Sequence, residues 1–127
     1  MLPEENKVII RRVIEELLNW GNVDVVDDVF DLSFVDLSSP DQPPGLEGVK
    51  GFVSLMRASI PDLYVEINDL IAEGDKVVVR TTWYGMLASN PDVMSSGTRQ
   101  VLRTMIQIFR LADGKIVEEW NEGEGLL

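Results

Sequence analysis

Gln107, Glu119 and Asn121 flank a short break, Ala112-Asp113-Gly114, and the chemistry this chain can support depends on whether they meet. Before the break, Val101, Arg103, Met105, Gln107 and Phe109 interleave with a run of isoleucines; after it comes Lys115-Ile116-Val117-Glu118-Glu119-Trp120-Asn121. Both arms are β-branched and aromatic enough to be strands. A three-residue link with Gly last suits a type I turn followed by a left-handed residue, the bulged hairpin. That link predicts Leu111 opposite Lys115, Phe109 opposite Val117, Gln107 opposite Glu119 and Met105 opposite Asn121. Because side chains alternate along a strand, Gln107, Glu119 and Asn121 then share a face with Met105, Phe109 and Val117. A carboxyl among such apolar neighbours has its pKa pushed toward neutrality, which suits proton abstraction beside a carbonyl. The amides of Gln107 and Asn121 would donate hydrogen bonds to the enolate that forms. The competing role for Glu119 is an ion pair with Arg103 or Arg99 on the neighbouring arm.

Composition removes most other chemistries. The chain has no histidine and no cysteine. Imidazole bases, Ser-His and Cys-His nucleophiles, thiolates and disulfides are therefore excluded, and proton transfer falls to carboxylate, tyrosine, lysine or water. A net charge of −11 argues against nucleic acid and against an anionic membrane surface. No apolar run is long enough for a membrane span, and the start lacks the basic-then-apolar order of a signal peptide, so the expected location is cytoplasmic. The acidic set Asp24, Asp27, Asp28 and Asp31 lacks the oxygen spacing and glycine of a calcium loop and reads as a solvated helix face. Neither a metal nor a cofactor is expected.

The elements that must position the hairpin lie upstream. Apolar residues at Ile9, Ile10, Val13, Ile14, Leu17 and Leu18 predict a helix from Glu5 to Trp20, stopped by Gly21-Asn22. Val25, Val26, Val29 and Phe30 mark a shorter helix, Phe34 to Leu37 a short strand, and Ser38 to Gly45 a loop. A third helix runs from about Glu47 to Ile60, closed by Pro61-Asp62. Strands follow from Leu63 to Asn68 and, after the turn Glu73-Gly74-Asp75-Lys76, from Val77 to Tyr84; residues 86–97 read as an irregular insertion. Helices followed by a strand-rich half describe one α+β domain over residues 1–127. Twist and bulges would curl its sheet around the helices into a cone with an open mouth.

Several segments carry a resemblance. Asn19-Trp20-Gly21-Asn22, Phe34-Val35-Asp36, Pro43-Pro44-Gly45-Leu46-Glu47-Gly48 and Ile60-Pro61-Asp62-Leu63 are joined by Ala72 to Arg80, Ile108-Phe109-Arg110 and Asp113 to Trp120. Together, over about Asn6 to Asn121, they resemble the SnoaL-like polyketide cyclases. The resemblance implies the nuclear-transport-factor-2-like (cystatin-like) cone, an α+β barrel of mixed and antiparallel strands around N-terminal helices. That superfamily holds cyclases, isomerases, epoxide hydrolases, dehydratases and plain binding domains, so fold alone does not name a reaction. In the family, a carboxylate helped by histidines closes a polyketide ring by aldol condensation without metal or cofactor. Here the position of the usual aspartate is Asn121, and the family's histidine positions hold Glu119, Leu37 and Gln107. An amide takes up no proton at neutral pH, so Asn121 is not a general base.

Two functions remain open. In one, the chain is a cofactor-independent cyclase or isomerase whose acid/base has moved to Glu119 or Asp36; Gln107, Asn121, Met105 and Phe109 line the substrate, and Trp83 or Tyr84 stacks on it. In the other, the same pocket only binds a small hydrophobic molecule. An epoxide-hydrolase set built on Asp36 and Arg80 is the weaker enzymatic option, because no second aspartate is placed beside them. The outer sheet face, with Ile106, Ile108, Ile116 and Trp120 among Thr104, Arg110 and Glu118, predicts a homodimer through the sheet.

Overall fold

The long amphipathic stripe near the N-terminus forms helix α1 (Pro3–Arg12), which continues without interruption as a wider π-helical segment (Val13–Asn19). The computed structural model describes residues 1–39, 41–43, 45–87 and 100–125. Ile10, Val13, Ile14, Leu17 and Leu18 of the stripe are buried. The wide turn ends where Asn19 clasps the sheet: its Nδ2 donates to the Val65 carbonyl at 2.9 Å and its Oδ1 accepts from the Val65 N–H at 2.7 Å. Arg57 caps the same end, donating to the Leu18 and Asn19 carbonyls at 2.7 and 2.9 Å. Gly21, at φ +71°, leaves the space that the Arg57 side chain fills.

Helix α2 (Asp24–Val29) is followed by strand β1 (Phe30–Asp36), then α3 (Gly45–Ser59), β2 (Tyr64–Glu73), β3 (Lys76–Gly85), β4 (Gln100–Ala112) and β5 (Lys115–Gly125). The sheet order is β1-β5-β4-β3-β2, antiparallel except for β1 beside β5. Helices thus cover one face of a curved mixed sheet, as the order of elements predicted. Phe30 opens the strand instead of closing the helix before it. Of the insertion expected at 86–97, residues 88–97 lie outside the described residues, and so does Arg99.

The hairpin differs from its expected form in two ways. Asp113 and Gly114, at φ 50° and 78°, are both left-handed, and Ala112 pairs with Lys115, so the link is a two-residue turn. Asp tolerates that conformation and Gly adopts it freely, which removes the need for a third loop residue. By itself the shorter turn would rotate Glu119 and Asn121 off the Gln107 face. A bulge compensates: Leu111 pairs with Ile116 and Arg110 with Glu118, leaving Val117 as the extra residue. Beyond it Phe109 pairs with Glu119, Gln107 with Asn121 and Met105 with Gly123. The pairings expected for Gln107 with Glu119, Phe109 with Val117 and Met105 with Asn121 are thereby corrected by two residues, so the shared face of Glu119, Asn121 and Gln107 survives.

Ile116 does not survive on the outer face. It precedes the bulge, opposite Leu111, and is fully buried. The inner face of the sheet closes on the helices through Val65, Val77, Val79, Trp83, Phe109 and Leu111, forming one core with Ile10, Ile14, Leu17 and Val53. No helix among the described residues is long and apolar enough to cross a membrane.

Candidate functional site

Between α3, the π-helical segment and the concave sheet lies a cavity of about 370 Å³. Its apolar walls come from Leu17 and Leu18, from Phe34 of β1, from Phe52 and Val53 of α3, and from Trp83 and Met105. Trp83 is held as a wall by its indole N–H, which donates to Thr81 Oγ1 at 3.0 Å, and both residues are buried.

The polar groups sit in successive cross-strand rows. The first row runs Val77, Phe109, Glu119, Asp36 from β3 to β1, and the next runs Val79, Gln107, Asn121. Parallel pairing of β1 with β5 is what brings Asp36 beside Glu119, fixed by the Leu37 N–H donating to the Glu119 carbonyl at 2.9 Å. Gln107 Nε2 donates to Glu119 Oε2 at 3.2 Å. Asn121 Nδ2 faces both oxygens of Asp36 at 3.4 and 3.3 Å. Asp36 Oδ1 further accepts the Ser38 N–H at 3.0 Å, and Ser38 Oγ accepts the Asn121 backbone N–H at 2.8 Å.

This arrangement decides protonation. Burial, followed by the nearby negative charge of Asp36, raises the Glu119 pKa to about 7, against the lesser opposing pull of hydrogen bonds from Asn121 and Gln107. Near neutral pH the Glu119 carboxyl is therefore divided between its acid and base forms. The amides are oriented by the same pair of carboxylates. Each turns its NH2 toward a carboxylate, and the atoms left buried without a partner are the carbonyl oxygens, Gln107 Oε1 and Asn121 Oδ1. Turning the Asn121 amide over would set its carbonyl oxygen against Asp36. The site thus sets one titrating carboxyl at the cavity beside two amides whose buried carbonyl oxygens are unmet.

Six of the residues singled out from sequence line this cavity: Asp36, Trp83, Met105, Gln107, Glu119 and Asn121. Two do not. Phe109 is fully buried in the core behind Glu119. Tyr84 lies on the convex face, tilted against Tyr64 at 6.3 Å between ring centroids, with its hydroxyl donating to Glu66 at 3.4 Å. Only Trp83 of the aromatic pair faces inward, because neighbouring residues on a strand point to opposite faces. Arg80 is also remote, ion-paired with Asp69 at 2.6 Å on the convex face, so the set of Asp36 and Arg80 around a water does not form. Glu119 makes no ion pair with Arg103. Arg103 instead lines the cavity, its guanidinium 5.9 Å from the centre of the Trp83 ring. Sequence reasoning missed it as a cavity residue, although it shares strand parity with Met105 and Gln107. Among the described residues no group of three or more His, Cys, Asp or Glu is placed to hold a metal ion.

The comparisons agree with this fold. No curated protein matches the chain in sequence. Among solved structures, a candidate polyketide cyclase from Bacillus cereus ATCC 10987 is 26% identical, over 94% of this chain and 74% of that one, with a TM-score of 0.80. TsrD from Streptomyces laurentii is 23% identical over 98% of this chain and 91% of its own, with a TM-score of 0.83. An LEH-like epoxide hydrolase from M. tuberculosis shares the fold at 15% identity, over 96% and 84% of the two chains, with a TM-score of 0.72. The model of SnoaL-like polyketide cyclases matches residues 8–125, nearly the whole chain, and the chain belongs to that family.

Proposed function

We propose that the cavity binds a small aromatic carbonyl compound and that Glu119 moves a proton on the carbon beside the carbonyl, in a cyclisation or isomerisation without cofactor. The observation that carries this reading is a carboxyl with a pKa of about 7 facing a cavity large enough for a ligand. As carboxylate, Glu119 takes the proton from the carbon, and the C–H electron pair becomes the enolate. In an aldol closure the enolate carbon then bonds to a second carbonyl carbon, and protonated Glu119 returns the proton to the alkoxide oxygen. Asp36 acts through Glu119: its charge holds the neighbouring carboxyl basic enough to take a proton.

A second reading, a domain that binds the ligand without turning it over, is favoured by Asn121. Its amide cannot titrate, and its NH2 is already engaged with Asp36. A pH–rate profile on a panel of activated ketones and polyketide-like esters separates the two. The catalytic reading expects turnover that rises through pH 7 and falls about 100-fold or more in Glu119→Gln, the usual scale of a lost acid/base. Turnover unchanged in Glu119→Gln rejects it. Thermal stabilisation by hydrophobic ligands with no turnover supports binding alone.

We also propose that the chain acts as a homodimer through the convex face. Ile71, Val78, Ile108 and Trp120 form one apolar row across β2 to β5, with Ile106, 47% exposed, beside it. Such a row on a sheet face favours burial against a second copy. Ile116 has no part in it.

A further inference from the structure

We propose that Arg103 anchors a carboxylate on the ligand, so that the cavity takes an aromatic hydroxy-acid, with its hydroxyl toward Gln107 and Asn121 and its acid toward Arg103. This rests on reading the cavity as a ligand site, and it adds the chemical class of the ligand.

Three observations at Arg103 point the same way. It is the one cation among the described residues lining the cavity, and its Nε is buried with no hydrogen-bond partner. Burial lowers its pKa, with no carboxylate set against that effect. A half-buried charge left in this state is costly unless something else supplies the counter-charge. The other described arginines found partners readily in a chain carrying 22 acidic residues against 11 basic ones. Arg12 meets Glu16, Arg80 meets Asp69 and Arg110 meets Glu118. Arg103 is also seated with care. Its guanidinium lies near the Trp83 ring and against the bare backbone of Gly123, where an added Cβ would come within 2.7 Å of Nη2. The open position of Gly123 lets the side chain lie along the sheet over the row formed by Met105 and Gly123.

The far end of the ligand is set by the amides. Gln107 Oε1 and Asn121 Oδ1 are buried acceptors without donors, which a ligand hydroxyl would satisfy. Gly123, against which the guanidinium lies, is two residues beyond Asn121 on the same face, so these two backbone positions are roughly 7 Å apart along the strand. A hydroxyl and a carboxylate at opposite ends of two fused aromatic rings have a spacing of that order. Trp83, Phe34 and Met105 supply the apolar walls between them, and the cavity of about 370 Å³ has room for such a molecule. An arginine presents a forked donor set to a carboxylate, which a neutral hydrophobe would leave unused.

The test is calorimetric binding of 6-hydroxy-2-naphthoate, 2-naphthoate and 2-naphthol at pH 7 to the full chain and to Arg103→Gln and Arg103→Lys. The expected result is that 6-hydroxy-2-naphthoate binds roughly 10-fold tighter than either partial compound, the worth of one charge-assisted contact. Arg103→Gln should erase its advantage over 2-naphthol while leaving 2-naphthol affinity within about two-fold, and Arg103→Lys should keep part of the advantage. Equal affinity of the wild type for 6-hydroxy-2-naphthoate and 2-naphthol overturns the anchor and leaves the cavity as a ligand site. Equal weakening of both compounds in Arg103→Gln also overturns it, since the residue would then be shaping the wall. If none of the three binds the wild type at millimolar concentration, the ligand-site reading falls and the anchor with it.

Discussion

Strands β2 to β5 present two faces made from the same residues in alternation, and the faces treat polar groups in opposite ways. On the convex face charges and amides find partners: Arg80 with Asp69, Arg110 with Glu118, Thr82 with Asn68, Asn68 with Glu66. On the concave face Gln107 Oε1, Asn121 Oδ1 and Arg103 Nε are buried without partners, and the pKa of Glu119 is raised to about 7 beside Asp36. An unmet polar atom in the interior costs more than a surface pair returns. The lesson is that, among the described residues, the sheet leaves its unmet polar atoms on the face where the helices leave a cavity, and pairs those on the other face.

The largest effect that can sharpen this contrast is the dependence of stability on pH. The folded state raises the Glu119 pKa, so folding binds a proton that the unfolded chain releases more readily. The associated stability is fully present below the unfolded value, near 4.5, and is lost as pH rises through about 7. Glu119→Gln removes the titrating group. It should match wild type near pH 4.5 and exceed it at pH 8 by about 3 kcal/mol, the free-energy equivalent of such a shift. Urea unfolding of both proteins at the two pH values checks this, and curves that stay parallel would remove the distinction between the faces at Glu119.

On the convex face the expectations are smaller. Ile108→Lys places a charge in the apolar row and should raise the dimer dissociation constant about 10- to 100-fold, the cost of burying an unpaired charge at a contact. Sedimentation of wild type as a monomer at micromolar concentration counts against the dimer. Arg110→Gln breaks a partly exposed pair with Glu118 and should change stability by less than about 1 kcal/mol, measured by the same urea titration.

The parts of this architecture that depend on local patterning were readable beforehand. The stripe from Ile9 to Leu18, the closing Pro61-Asp62 and the alternation along β4 carry their own signals. The hairpin was less legible. Whether Asp113 joins Gly114 in a left-handed turn is decided by strand twist, and nothing in Ile116-Val117-Glu118 marks a bulge. The two departures cancel for Glu119 and Asn121 and do not cancel for Ile116, which moves from the outer face into the core. Asp36 beside Glu119 depends on parallel pairing between strands separated by most of the chain, a contact with no local signature. Arg103 was legible by parity alone, but a charged residue on a strand is more readily taken for a partner in an ion pair than for one left unpaired.

The most direct measurement is an NMR titration of the Glu119 side-chain carboxyl, assigned by comparison with Glu119→Gln, on the wild-type chain without ligand. The account predicts a midpoint at about 7, falling in Asp36→Asn as the neighbouring charge is removed. A midpoint in the ordinary glutamate range, roughly 4 to 4.5, that does not move in Asp36→Asn would contradict it.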